Sequence, residues 1–163
     1  GGLRLIETTP ALTLALRVFE ARDSARMPLL CLPGLSRNSR DFTFLCRYFS
    51  NHPTEPRRVI AIDYRGRGLS DWDPDWRNYT PLVEAEDVLA ATTALGVERA
   101  ILVGTSRGGI IAMLIAICGL RPAPLVSDRN AIPAVIAMLA TIFCLPQCRP
   151  EAIAWRMRGS RKA

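Results

Sequence analysis

The sequence predicts an α/β fold, a mostly parallel sheet with helices on both faces, and three observations carry that expectation. Short apolar runs alternate with segments of helical spacing, in the order strand, helix, strand, helix, strand, helix. The runs near residues 28–32, 58–62 and 100–103 are nearly continuous in apolar residues, as strands covered on both faces require. The last run enters a glycine-flanked serine and leaves at once as an apolar helix.

In order, Leu12, Leu14, Leu16 and Val18 alternate with Thr13, Ala15 and Arg17, which is the period-two signal of a half-buried strand. Leu3–Glu7 is expected to be its hairpin partner. After the polar break Glu20–Arg26, Pro28–Leu32 reads as a central parallel strand ending at Pro33-Gly34. Phe42, Leu45, Cys46 and Phe49 recur at helical spacing and predict a helix from about Asp41 to Ser50. Pro53–Pro56 break the chain, and Arg58–Ile62 form the next strand, running into Asp63-Tyr-Arg-Gly-Arg-Gly-Leu-Ser70. Thr80 is placed to cap a helix with Pro81 at its first position. Glu84, Glu86 and Asp87 lie near its positive end, and Gly96 follows Leu95 as the stop. Ala100–Val103 is the strand before the serine, and the apolar run Ile110–Leu120 is the helix after it.

The stretch Ile101-Leu-Val-Gly-Thr-Ser-Arg-Gly-Gly-Ile110 has the form of a nucleophile elbow. A serine on so sharp a turn lifts its hydroxyl clear of the sheet, and glycine at Gly104 and Gly108 lets the flanking backbones pass closely. Ser106 is therefore the candidate nucleophile, with the N-terminus of the next helix favouring negative charge beside it. Three fixed positions in five arise often by chance; the strand before and the helix after are the context that gives the motif meaning.

The 163 residues suffice for one domain with a real core. Residues 1–120 carry 14 Arg against 13 Asp plus Glu, whereas residues 121–163 carry 7 Lys plus Arg against 2, so the basic excess belongs to the tail. A nucleic-acid partner is not expected. The five cysteines, with one C-x-x-x-C pair and no nearby histidine, predict buried thiols, no metal site and a cytoplasmic, reducing setting. The longest apolar runs fall short of the roughly 20 residues that span a bilayer. The sequence opens on Gly1-Gly2 without an initiator methionine, which leaves the true N-terminus open, and no leader is visible in these residues.

Three motifs together resemble the α/β-hydrolase superfamily over residues 11–120. They are Pro33-Gly34-Leu35 as the oxyanion turn, with Pro33 where the family usually has histidine, Asp63-x-Arg65-Gly66-x-Gly68-x-Ser70 after the next strand, and the elbow Gly104-Thr-Ser106-Arg-Gly108. The resemblance implies an oxyanion hole made by the N–H groups of Leu35 and Arg107. It implies serine-dependent hydrolysis of an ester or related acyl or carbon–carbon bond, acting on a small apolar or acyl substrate without a cofactor. Asp63 is expected to bond its own turn, Arg65 and Arg67 to be solvated or structural, and Trp72 and Trp76 to pack on the surface. The family orders its triad as serine, acid, histidine. The one histidine, His52, precedes Ser106 in a Pro-flanked connection and reads as an exposed loop residue. Asp128, at the end of a candidate sixth strand Leu125–Asp128, is the candidate acid.

The domain organisation expected is a core over residues 1–120 and an atypical Pro- and Cys-containing segment with a basic tail over 121–163. The fold is expected to be incomplete on its C-terminal side, either as an altered copy of a full hydrolase or as a small domain that kept the scaffold. Activity in this chain is expected to be weak or absent. The alternative is a non-catalytic module binding a small ligand. A sheet ending at the elbow strand would leave an apolar edge and favour self-association.

Overall fold

The computed structural model describes residues 1–9, 12–22, 25–118 and 136–138. The chain opens with a hairpin, β1 (Gly2–Thr9) and β2 (Leu12–Phe19), paired antiparallel from Gly2↔Val18 with an irregularity between Glu7 and Thr9. Four parallel strands follow: β3 (Leu29–Leu32), β4 (Val59–Ile62), β5 (Ile101–Gly104) and β6 (Ile136–Met138). The sheet order is β1-β2-β4-β3-β5-β6, with β2 antiparallel to β4. β3 and β4 are buried at every position, which is why they read as unbroken apolar runs rather than alternating ones.

The two faces are packed separately. Leu29, Cys31, Val59 and Ala61 meet Phe42 and Cys46 of the segment that includes α1 (Thr43–Ser50). Leu30, Leu32, Ile60 and Ile62 meet Val88 and Ala91 of α2 (Pro81–Ala94) and Ile111 and Ile115 of α3 (Arg107–Cys118). One-residue alternation along each strand thus feeds two cores.

The expected helix at 41–50 is two elements. Asn38 Oδ1 accepts from the Arg40 N–H and starts a tight 3₁₀ turn, Ser39–Phe42, before α1 takes over. α2 starts as its sequence requires: Thr80 Oγ1 accepts from the Val83 N–H at 3.3 Å, Pro81 opens the first turn, and Gly96 follows at φ +66°.

The expectation that the sheet ends at the elbow strand is corrected, because β6 pairs in parallel with β5 from Ile101↔Ile136 to Val103↔Met138. Three residues are too few to show a period, so Ile136–Met138 left no readable strand signal. The candidate sixth strand Leu125–Asp128, and with it Asp128, lies outside the described residues, as does most of the 121–163 segment.

Candidate active site

Parallel strands present their following loops along one edge of the sheet, and the loops after β3, β4 and β5 meet there. Ser106 occupies the turn from β5 into α3 and is exposed. Its φ of +52° makes it the one non-glycine residue in the left-handed region among the described residues. An added Cβ at Gly104 would overlap the Gly108 backbone, and one at Gly108 would overlap the Leu32 carbonyl, so both glycines are sterically required. The Thr105 N–H donates to the Leu32 carbonyl at 3.0 Å and ties the turn to the end of β3.

The turn Pro33-Gly34-Leu35 runs beside this serine. A Cβ built on Gly34 would stand 3.7 Å from the Ser106 Cβ. Among the described residues, neither the Leu35 N–H nor the Arg107 N–H donates to a protein acceptor. Both are backbone donors on turns that converge at Ser106.

Side chains from the β4 loop and α2 brace these turns. Arg107 Nε donates to Glu84 Oε2 at 2.5 Å and its Nη2 to the Tyr79 carbonyl at 2.9 Å, with Glu84 buried. Arg67 Nε donates to the Leu35 carbonyl at 2.7 Å, and the Arg67 guanidinium lies 6.0 Å from the Tyr79 ring centre. Tyr64 is buried, its hydroxyl has no partner among the described residues, and burial followed by the Glu84 charge pushes its pKa up.

Arg65 is buried rather than solvated. It forks onto Asp87 with two bonds of 2.7 Å and reaches Asp73 at 2.6 Å. Burial raises the Asp87 pKa against the lowering pull of Arg65, while Asp73 is held low first by the Asp75 N–H and then by Asn78. Asp63 bonds its own turn through the Leu69 N–H at 3.0 Å and also reaches the Ser39 N–H at 2.6 Å, so it serves as a loop brace. Trp72 and Trp76 are both exposed.

His52 stands elsewhere. It lies between α1 and β4, at the amino end of that strand, with the sheet between it and Ser106; a four-residue strand is about 13 Å long. It is half-buried, not exposed as expected, because Nδ1 accepts from the Glu55 N–H at 3.1 Å and the ring packs 5.5 Å from Tyr48. The structure brings together Ser106, Leu35, Arg107, Gly104 and Gly108, and leaves His52 apart.

Sequence reasoning missed Glu84, Tyr79, Arg67 and Asp87 as members of this assembly. Glu84 and Asp87 carried only a helix-dipole signal, since their partners lie 23 and 22 residues away. No group of three or more His, Cys, Asp or Glu is arranged for a metal among the described residues, and no described helix is long and apolar enough to cross a membrane.

A mixed sheet clothed on both faces, with a left-handed serine at its carboxyl edge, defines an open α/β protein whose functional loops follow the parallel strands. The chain belongs to the alpha/beta hydrolase family, whose model matches residues 29–162. It is similar to the crystal structure of an alpha/beta hydrolase from Novosphingobium aromaticivorans, at 32% identity and a TM-score of 0.67, over 98% of this chain and 49% of that one. A 3-hydroxybutyrate-oligomer hydrolase from Cupriavidus necator is 35% identical over 92 residues, covering 54% of this chain and 29% of that protein. Human epoxide hydrolase 4 is 35% identical over 78 residues, covering 48% of this chain and 22% of that protein. The chain thus spans about half the length of the solved relative and matches under a third of each curated one.

Proposed function

We propose that Ser106 is the nucleophile of a hydrolase acting on an ester or related acyl or carbon–carbon bond, with the N–H groups of Leu35 and Arg107 as its oxyanion donors. The observation that carries this reading is the left-handed, exposed Ser106 with two unspent backbone donors beside it. Attack of the serine oxygen on a carbonyl carbon moves charge onto the carbonyl oxygen. In other serine enzymes each donor aimed at that charge is worth about 10²- to 10³-fold in rate. The positive end of α3 adds to the same field. The relatives named for 3-hydroxybutyrate oligomers and for epoxides share the scaffold, and a serine suits an acyl substrate.

The hydroxyl needs a base, and His52 lies at the opposite, amino end of the parallel strands. Loss of the base costs on the order of 10⁶ in turnover in a serine hydrolase. We therefore expect residues 1–163 to acylate or phosphonylate slowly at Ser106 and to turn over esters weakly or not at all. A small apolar ligand held without chemistry beside Ser106 is the second reading, favoured by the absence of a histidine near Ser106 among the described residues.

A fluorophosphonate probe separates the two. Slow labelling that S106A abolishes supports the nucleophile. No labelling alongside saturable binding of an uncharged ester favours the binding module.

The remaining parts of this reading are a core over residues 1–120, a cytoplasmic location and self-association. The location rests on the buried free thiols Cys31 and Cys46, and exclusive recovery of the protein outside the cell would refute it.

A further inference from the structure

A hollow of about 170 Å³ opens on the α1 side of the sheet, lined by Arg17, Asn38, Arg40, Asp63, Gly68 and Leu69. Its acceptor oxygens are engaged from within. Asp63 Oδ1 accepts from the Ser39 N–H at 2.6 Å and Oδ2 from the Leu69 N–H at 3.0 Å. Asn38 Oδ1 accepts from the Arg40 N–H at 3.0 Å, and Ser39 Oγ accepts from Arg17 Nε at 3.2 Å. The unspent groups are donors: both Nη atoms of Arg17, the guanidinium of Arg40 and the Asn38 amide have no protein acceptor among the described residues.

A hollow with free guanidinium forks and saturated acceptors is complementary to an oxyanion, which takes charge-assisted and bidentate bonds from arginine. Two cations face one carboxylate whose charge is already spread over two N–H groups. The Arg17–Ser39 bond holds one fork in place before a ligand arrives, so less side-chain entropy is lost on binding. At about 30 Å³ per water, the volume admits a phosphate or carboxylate group with part of the molecule that bears it.

We propose that this hollow binds a small soluble molecule through a phosphate or carboxylate group, at a site separate from Ser106. None of Ser106, Leu35 and Arg107 lines the hollow, which is built from Arg17 of β2 and from other residues of the loops after β3 and β4.

Calorimetric titration of the 163-residue chain with inorganic phosphate, and separately with succinate, tests the site at ionic strength held constant with sodium chloride. Saturable binding of at least one anion is expected, weakened about tenfold or more in R40M and in R17M, as loss of a charged hydrogen bond predicts, and unchanged in S106A. The anion bound more tightly identifies which oxyanion the site selects. Absence of saturable heat with both anions, or an R40M protein that binds like the parent, would overturn the proposal. Arg40 is exposed on the 3₁₀ turn, so R40M decides the matter even if R17M does not fold.

Discussion

Ser106 holds a backbone conformation that costs an L-residue roughly 1–2 kcal/mol, and the strain sits where its hydroxyl is presented. Replacing it with glycine removes both the strain and the proposed nucleophile. S106G is expected to raise stability by about 1 kcal/mol in a urea melt while ending fluorophosphonate labelling. A glycine variant less stable than the parent would show that Ser106 is not strained. Asp73 has its own signature. Its pKa is lowered in the folded state, chiefly by the Asp75 N–H and Asn78. A depressed carboxylate adds stability that is present above its unfolded pKa and lost as pH falls through the folded one. D73N should therefore be destabilised most above about pH 5, and the gap from the parent should close below about pH 4. Asp87 has the opposite sign, since its raised pKa makes the folded state lose stability as pH rises from the unfolded value through the folded one. A D73N gap constant with pH would sink this account. Ser106 and its glycines were legible because the motif states its own geometry, whereas the Arg65 fork onto Asp87 joins residues 22 apart and leaves no local trace.

Among the elements, α2 was the most legible, because Thr80, Pro81 and Gly96 each act within one turn of the helix end. Its role in the site was hidden. Glu84 leaves the buried side of α2 to hold Arg107, the first residue of α3, so the two helices share one charge pair at the serine. E84Q keeps a hydrogen-bonding shape and loses the charge, and is expected to cost about 2 kcal/mol in urea unfolding. An unchanged midpoint would mean that the pair is open in solution. The 3₁₀ turn before α1 was merged with that helix, since side-chain capping by Asn38 distinguishes the two and apolar spacing does not.

For the whole molecule, the sheet order decides what is covered. Ile101 and Val103 are half-buried where β5 faces the α1 side, and Ile110 is 47% exposed on α3. Apolar surface of this kind favours a second copy. Sedimentation at rising concentration is expected to show association; a monodisperse monomer with one cooperative melt would refute it. Because β6 pairs with β5, the surface expected to associate is the faces of the sheet and α3 rather than the edge of β5.

By itself, the sequence determined the kinds of element, most of their ends, the parallel class of the sheet and the serine at a glycine-flanked turn. Those features arise from periodicity, caps and backbone freedom, which act over a few residues. Only the tertiary structure decided that β4 lies between β2 and β3, that Glu84 and Asp87 reach Arg107 and Arg65, that β6 flanks β5 and that His52 packs against Tyr48 and accepts from the Glu55 N–H. Each of those depends on which faces pack together across the chain, and the burial that selects them is a property of the assembled core rather than of any short stretch within it.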